Sequence, residues 1–357
     1  MSWDEIQGHD AVQAKFRTAV ARGRLASTFL FVGPPAVGKR KFALKLAEAL
    51  LCEVNPPADL NPCGKCESCV QVRAHSHPDL ILVSRPANRT RIPVDLLIGD
   101  GQNRMRAGLC HDITLRPYRG GRKVAIIDDA DYLNVEGANC LLKTLEEPPP
   151  KSVMILLSTS LQRQLPTIRS RSQIIRFDPL SNEVIAALLV EQGVVAELEE
   201  ARVLAELGHG SLERAMQVAD PELREFRAVL LPRLGTPDFP SVPLAKETAE
   251  FVDRAGKEAP PRRARLILVM QFAAEFYEQL MRALCGRAVA GDDLLRKQVE
   301  RAVPRFTAGP DAAAACLARC IEAEQEVEAN ANLATLVDAW MDDLSSAGRL
   351  GYVPLGQ

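Results

Sequence analysis

Short apolar runs alternate with helix-like patterns through the first half of the chain. The runs are four to six residues long and rich in Ile, Val, Leu and Phe. They comprise 28–33, 80–83, 123–128, 153–158 and 173–177. Such runs are typical of strands buried on both faces of a parallel sheet. Helical periodicity lies between them, including 40–51 and 136–147. The alternation predicts a doubly wound α/β domain.

The second half of the chain has helical periodicity and no convincing strand. Segments 182–193 and 199–210 each end in or near glycine, which commonly terminates a helix. A stretch rich in Gly and Pro at 235–243 predicts a loop. Further helical segments are expected at 244–257, 261–287, 291–302 and 311–347.

Composition narrows the class of protein. The chain has 357 residues, a length sufficient for two or three domains, and 47% of them are hydrophobic. The net charge is −2. Residues 1–178 carry 25 Lys and Arg against 18 Asp and Glu, so this half is basic and the remainder is acidic. No run approaches the length of a membrane span, and the polar stretch at 1–10 does not resemble a secretory signal. Nine cysteines without a signal indicate a reducing compartment, so we expect a cytoplasmic protein.

The stretch GPPAVGKR at 33–40 is almost a phosphate-binding loop. It follows an apolar run and precedes a helical pattern, the setting in which backbone N–H groups and a helix N-terminus bind phosphate. Gly33 and Gly38 permit close backbone approach, and Lys39 is expected to contact the outer phosphates. Arg40 replaces the Ser or Thr whose hydroxyl normally helps to hold magnesium.

A second nucleotide-site motif is KVAIIDDAD, in which an apolar run ends at Asp128 and Asp129. In P-loop ATPases the first carboxylate helps to hold magnesium and the next acidic residue orients the attacking water. Two acids capping a strand would also explain the pattern. The phosphate-type loop upstream favours the interpretation as a Walker B site.

Four cysteines are concentrated in one segment, with two overlapping C-x-x-C spacings and a fourth thiol upstream. They are Cys52, Cys63, Cys66 and Cys69. This spacing predicts a tetrahedral zinc site, in preference to a redox pair or unrelated surface thiols. The nearby His75 and His77 are expected to be loop residues and not ligands. Cys316 and Cys320, four residues apart on a predicted helix, are expected in the core.

Several longer stretches resemble the delta-prime family of bacterial DNA polymerase III clamp-loader subunits, which are AAA+ proteins. The resemblance lies in GRLASTFLFVGPPAVGKR, HSHPDL, KVAIIDDADYLNVEGANCLLKTLEEPPP and LPTIRSRSQIIRF, and weakens after about residue 215. It implies a RecA-like AAA+ P-loop domain at 1–178 with a zinc-binding insertion at 52–69. A small helical lid at 179–220 and an all-α collar at 221–357 are expected to follow.

The resemblance also implies partners and an arginine in trans. The partners are the gamma/tau and delta subunits of a hetero-pentamer, the sliding clamp and primer–template DNA. Ser170-Arg171-Ser172 resembles the family's Ser-Arg-Cys motif, whose arginine acts on ATP held by the neighbouring subunit. A planar, permanently charged guanidinium suits that task. Arg171 is therefore the expected arginine finger.

Three positions depart from a working ATPase of this family. Arg40 lacks the magnesium-binding hydroxyl, Asp129 is shorter than the usual Glu, and Glu213 occupies a position where the lid normally carries Arg. These changes predict poor hydrolysis. Whether ATP still binds, or the site is only a folding scaffold, stays open at this stage. Two alternatives remain: a gamma/tau-like active ATPase, and a zinc-containing AAA+ protein outside replication.

Overall fold

The computed structural model describes residues 3, 6–86, 89, 91–119 and 121–350, with only the backbone described at 349 and 350. Parts of the polar N-terminal stretch and of the predicted collar segment therefore lie outside the described residues. The chain divides into two compact units, Met1–Ala215 and Met216–Gln357. The finer division at 178 and 220 stays a prediction. Among the described helices, none has the length and apolar character needed to cross a bilayer.

A five-stranded parallel sheet forms the centre of the first unit. The strands are β1 (Thr28–Val32), β2 (Leu80–Val83), β3 (Lys123–Ile127), β4 (Ser152–Ser158) and β5 (Gln173–Arg176). Their order is β2-β3-β4-β1-β5, and every neighbouring pair is parallel. β1, β3 and β4 are buried along their whole length, as unbroken apolar runs require. The predicted parallel α/β fold is confirmed.

Ten helices are described between residues 10 and 218, the last of which crosses the boundary between the two units. They are α1 (Asp10–Ala21), α2 (Lys39–Leu51), α3 (Glu67–Arg73), α4 (Asp95–Ile98), α5 (Leu109–Asp112), α6 (Val135–Glu146), α7 (Pro166–Arg169), α8 (Asn182–Glu191), α9 (Leu198–Gly208) and α10 (Leu212–Val218). Two 3-10 helices lie at Pro57–Asp59 and Ala130–Tyr132. The second of these directly follows β3 and shapes the site described below.

The alternating side chains of the strands supply two separate cores, one on each face of the sheet. Phe29 and Phe31 pack with Phe16 on one face, where the rings of Phe16 and Phe29 lie 4.9 Å apart. Leu30 points to the other face and packs in a cluster that includes Leu141 of α6. A period of two along a strand produces this division. The layering leaves the carboxyl ends of the strands to carry polar loops.

The second unit is helical throughout its described residues. Its helices are α11 (Pro221–Leu234), α12 (Ser241–Asp253), α13 (Ala259–Leu284), α14 (Asp293–Ala302), α15 (Pro310–Glu328) and α16 (Leu333–Leu350). α15 packs against both α13 and α16. The predicted loop at 235–243 is shorter than expected, because α12 already begins at Ser241.

The helical segment expected at 311–347 is two helices and not one. Asn330 adopts a left-handed backbone (φ 69°), which ends α15, and Asn332 then accepts hydrogen bonds from the backbone N–H groups of Ala334 and Thr335. Asparagine tolerates the left-handed region and caps helices well, so two asparagines suffice to turn the chain. The Ala-rich sequence around the two asparagines is itself typical of a helix, so the pattern alone did not indicate this break between α15 and α16.

Candidate functional site

The loop between β1 and α2 has the backbone geometry of a phosphate-binding loop. Gly38 is left-handed (φ 95°) and immediately precedes the first residue of α2. A Cβ atom on Gly33 would lie 2.2 Å from the backbone oxygen of Phe177, so no larger residue fits without backbone movement. Both glycines are therefore required by the fold, as the motif predicts.

Lys39 folds back onto the loop that precedes it. Its Nζ donates to the backbone oxygens of Gly33 (2.7 Å) and Pro34 (2.6 Å), and the residue is only 8% exposed. Burial lowers the pKa of the Lys39 ammonium, while Asp131, Asp128 and Asp129 act in the opposite direction. The lysine thus occupies the interior of its own loop.

Arg40 forms an ion pair with Asp128 that closes one side of the loop. Nη1 of Arg40 lies 2.7 Å from Oδ2 of Asp128 and donates a hydrogen bond to it. The Arg40 side chain is 52% exposed, whereas that of Asp128 is 22% exposed. A guanidinium therefore contacts the carboxylate that would otherwise be available to a magnesium ion.

Asp129 adopts a strained conformation directly after Asp128. Its φ of 55° is left-handed, and its backbone N–H donates to Oδ1 of Asp128 (3.0 Å). Burial, with the neighbouring Asp128 charge, raises the pKa of Asp129. Arg85 forms a long ion pair with Asp129, its Nε lying 4.0 Å from Oδ2. The Asp129 side chain is also one methylene shorter than that of Glu.

These residues surround a cavity of about 550 Å³. The predicted residues brought together on its wall are Gly38, Lys39, Arg40, Asp128, Asp129 and Glu213. Glu213 adds a negative charge where a phosphate-binding site needs a positive one. Arg171, by contrast, is not among the described residues that line the cavity.

Sequence reasoning missed three further residues of this wall: Asp131, Ser158 and Thr159. Asp131 accepts hydrogen bonds from the Ser158 hydroxyl (2.6 Å) and from both the N–H (2.7 Å) and the hydroxyl (2.7 Å) of Thr159. The available signal was positional, because polar residues just after β3 and β4 meet at the carboxyl edge of a parallel sheet.

The four cysteines of the predicted zinc site converge. All four Sγ atoms lie within 4.8 Å of one another, and the pairs Cys52–Cys66 and Cys63–Cys69 are each 4.0 Å apart. A tetrahedral zinc ion with bonds of about 2.3 Å places its sulfurs about 3.8 Å apart. The cluster therefore has the size and the donor set that zinc requires.

The backbone around the sulfurs supports that donor set. The N–H groups of Cys63 and Cys66 lie 3.5 and 3.3 Å from the sulfurs of Cys52 and Cys63. The backbone N–H groups of Lys65 and Cys66 lower the pKa of Cys63 to about 6, whereas burial raises the pKa of Cys69. Donors pointing at sulfur are suited to thiolate ligands.

Ion pairs attach this cysteine module to helix α2. Arg73 donates to Oε1 of the buried Glu48 on α2 (2.7 Å) and to the backbone oxygen of Gly64 between the cysteines (2.7 Å). Lys45 lies 3.1 Å from the same Glu48. The module is therefore anchored to the helix that begins at the phosphate-type loop.

The two histidines near the module lie in the loop that leads to β2. His77 is buried, its Nε2 lies 3.0 Å from the Ser68 hydroxyl, and its Nδ1 accepts from the backbone N–H of Asp79 (3.0 Å). His75 has a left-handed backbone (φ 56°). Neither histidine belongs to the cysteine cluster found among the described residues.

Arg171 lies on the short link between α7 and β5. Its Nη1 donates to the backbone oxygen of Thr167 (3.1 Å) and to the Ser170 hydroxyl (3.2 Å). Nη2 lies 2.6 Å from Oε1 of Glu146, and a third of the arginine side chain is exposed. The guanidinium is therefore anchored within its own chain and remains partly exposed.

Cys316 and Cys320 lie in the core of the second unit. Both are fully buried, and the Cys316 thiol donates to the backbone oxygen of Leu344 (3.6 Å). Burial raises the pKa of Cys316 to about 12. These thiols pack as small apolar groups.

Comparison with known proteins is consistent with these motifs. Residues 8–181 match the family described as "DNA polymerase III, delta subunit". The DNA polymerase III subunit gamma/tau of Mycobacterium tuberculosis is 32% identical over 223 residues, which cover 61% of this chain and 36% of that protein. The DNA polymerase III subunit delta' of Bacillus subtilis is 31% identical over 232 residues, 65% of this chain and 66% of that protein.

The match thus spans only about a third of the gamma/tau relative. A solved structure of a DNA polymerase III gamma subunit-related protein from Thermotoga maritima covers 94% of this chain and the whole of that chain. Its sequence identity is 17% and its TM-score is 0.42.

Proposed function

We propose that the chain is an AAA+ clamp-loader subunit of DNA polymerase III and acts as a delta-prime-like subunit that does not hydrolyse ATP, which the match of residues 8–181 and the delta' relatives support. In this role it joins gamma/tau and delta subunits in a hetero-pentamer that loads the sliding clamp at primer–template DNA. The proposed parts are the AAA+ domain (1–178), the lid (179–220) and the collar (221–357).

The observation that carries the non-hydrolysing role is the ion pair between Arg40 and Asp128. Phosphoryl transfer in P-loop proteins uses a hydroxyl after the lysine and a carboxylate on the neighbouring strand to hold magnesium. Here the first group is absent and the second is already paired with a fixed cation. A magnesium ion would have to displace Arg40 to reach Asp128.

Two further groups of the cavity act against hydrolysis. Asp129 is shorter than the usual Glu, and Glu213 adds negative charge to the same wall. Charge that develops on a transferred phosphoryl group needs cations placed in advance. ATP binding without turnover is compatible with this cavity, because Lys39, Arg40 and Lys41 still line it.

Arg171 is proposed as the residue through which this subunit contributes to catalysis. Its anchored guanidinium is partly exposed and does not line the cavity of its own chain within the described residues. In small GTPases an arginine finger accelerates phosphoryl transfer by roughly 10³–10⁵-fold. Arg171 is proposed to act in this way on ATP held by the neighbouring subunit.

The four-cysteine module is proposed to hold one zinc ion. Cys52, Cys63, Cys66 and Cys69 would supply four thiolates, a closed donor set typical of structural zinc. Its expected contribution is to the stability of the AAA+ domain and not to chemistry.

The arginine role is tested by clamp loading with a reconstituted complex that carries Arg171→Ala in this subunit alone. We expect loading to fall at least tenfold while zinc content and assembly are unchanged. Arg171→Lys should restore little, because an ammonium lacks the planar fork. Arg169→Ala, an exposed arginine two residues away, is the matched control. Wild-type loading by Arg171→Ala would contradict the assignment.

An active gamma/tau-like ATPase is the second candidate, favoured by the 32% identity with the gamma/tau relative. A phosphate-release assay on the isolated chain, with clamp and DNA present, separates the two. Turnover on the order of 1 per second that disappears in Lys39→Ala would favour the ATPase.

A further inference from the structure

Asp131 connects the ends of two strands and does not serve any role proposed so far. It lies in the 3-10 helix after β3, and four donors surround its carboxylate. Ser158 and Thr159, at the end of β4, supply three of these donors at 2.6–2.7 Å. The fourth is Nε2 of Gln164, 2.9 Å from Oδ1. Because two carboxylate oxygens offer about four acceptor sites, these four donors occupy the hydrogen-bond acceptor sites of Asp131.

Gln164 is the distant end of this network. The residue is only 4% exposed, and its backbone N–H donates to the oxygen of Leu161 (3.2 Å). Its side chain thereby fastens the loop after β4 to the carboxylate after β3. Hydrogen bonds to an ionised acceptor are about twice as strong as neutral ones, so this contact is a firm attachment point.

A continuous set of backbone contacts leads from Gln164 to Arg171. The next residue, Leu165, accepts from the N–H groups of both Ile168 and Arg169 (3.1 Å each). Ile168 is 1% exposed in the core, and its oxygen accepts from the N–H of Arg171 (3.2 Å). The arginine head is then held by the oxygen of Thr167. Glu146 of α6 also holds the guanidinium (2.6 Å), so Gln164 is one of the contacts that fix the segment carrying Arg171.

We propose that Gln164, held by Asp131, is a positioning residue for Arg171. This inference rests on the proposed arginine finger. It gives Asp131 a role that does not require ATP hydrolysis in this subunit. Asp131 lines that cavity, and the same carboxylate fixes the segment that presents Arg171 to the neighbour.

Positioning is expected to affect the rate more than the affinity. A misplacement of about 1 Å in a catalytic group can lower a rate by about a hundredfold. Gln164→Met keeps the length of the side chain and loses its donor. In the reconstituted complex this variant should lower the kcat of ATP hydrolysis in the neighbouring subunit about tenfold, with KM for ATP unchanged.

The matched control is Gln162→Met, a change in the same loop at an exposed residue. Combining Gln164→Met with Arg171→Ala should be no slower than Arg171→Ala alone, because both changes act on one step. Should Gln164→Met fail to fold, as judged by thermal unfolding, Asp131→Asn replaces it, with the same expected loss of kcat.

The outcomes separate this inference from the function on which it rests. A normal kcat in Gln164→Met or its replacement, together with a slow Arg171→Ala, would overturn only the positioning role. A normal rate in Arg171→Ala would overturn both the finger and the positioning role. Equal losses of kcat and of folded protein would also contradict positioning, since they indicate a purely structural contact.

Discussion

Arg40 illustrates how one substitution changes the chemistry of a site without changing its shape. The loop keeps its left-handed Gly38 and its buried Lys39, so the backbone is still that of a phosphate-binding loop. The guanidinium, however, already contacts Asp128 at 2.7 Å. A fixed monovalent cation cannot supply the open coordination positions of magnesium. The loop therefore retains its geometry, and the proposed loss of magnesium binding rests on this ion pair.

A prediction at the residue scale follows from this pair. Arg40→Ser frees Asp128 and restores a hydroxyl, so the binding of a fluorescent ATP analogue should become magnesium-dependent. The variant should bind the analogue about tenfold more tightly with magnesium than with EDTA, a difference of about 1.4 kcal/mol. The wild-type chain should bind the analogue equally tightly with magnesium and with EDTA. Lys41→Ser, which removes a charge from the same wall but keeps the pair, is the control. Magnesium dependence in the wild type would contradict the interpretation of Arg40.

Helix α2 is the element that joins the two ends of the proposed site. It begins at Lys39 and ends at Leu51, directly before Cys52. Its 13 residues span about 20 Å, so the cysteine module is separated from the phosphate-type loop by the length of the helix. The buried Glu48 and its partner Arg73 fix the module to this helix. The module is placed to stabilise α2 from its C-terminal end.

At this scale we expect zinc to be needed for folding. We expect elemental analysis to find about one zinc per chain, and the pair Cys63→Ser and Cys66→Ser should abolish it. Structural thiolate–zinc sites contribute on the order of 10 kcal/mol, so the first unit should unfold readily without the metal. Cys140→Ser with Cys285→Ser removes two thiols outside the cluster and should retain the zinc. A stable, metal-free wild-type preparation would disprove the zinc assignment.

At the scale of the whole molecule, the two compact units depend on different interactions. The second unit contains a buried ion pair in which Arg227 of α11 contacts both oxygens of Asp292 at 2.9 and 2.7 Å. Burial alone would raise the pKa of Asp292, but the hydrogen bonds and charge of Arg227 prevail and lower it. The ionised form of Asp292 therefore belongs to the folded state.

Arg227→Ala is expected to destabilise the second unit by about 3–5 kcal/mol, because it leaves a buried carboxylate without its partner. Hydrogen exchange of the amides in α11 and α14 measures this loss, and amides of the central sheet in the first unit should be unaffected. Arg233→Ala breaks a half-exposed pair with Glu247 and should cost about 1 kcal/mol or less. Equal effects of the two variants would contradict the assignment.

The same pair gives the second unit a pH dependence of known sign. The pKa of Asp292 is lowered on folding, so its contribution to stability is complete above the ordinary carboxyl pKa of about 3.9. This contribution to stability is lost as the pH falls below the ordinary carboxyl pKa and passes through the lowered pKa of Asp292. In Arg227→Ala this acid-induced loss should disappear, which denaturant titrations between pH 5 and 2 can measure.

The strands, most helices and the close grouping of four cysteines followed from the sequence because their causes are local. Continuous apolar runs specify buried strands, and the strand bounds agree with those predicted to within a residue. The cysteines lie close together along the chain, so their spacing alone limits the geometry that a loop can form. The prediction of one helix at 311–347 was wrong, because a repetitive Ala pattern outweighed two asparagines.

Only the tertiary structure decided which charges meet. Arg40 and Asp128 are 88 residues apart, and Gln164 lies 33 residues from Asp131, so no local pattern could indicate either contact. Both contacts arise because the parallel strands of one sheet bring their carboxyl ends to the same edge, where β4 lies between β1 and β3. The sequence by itself determined that a phosphate-type loop exists and that its chemistry is altered. The folding of the sheet determined that a guanidinium neutralises its metal-binding carboxylate, since this requires atoms from β3 and α2 within 3 Å.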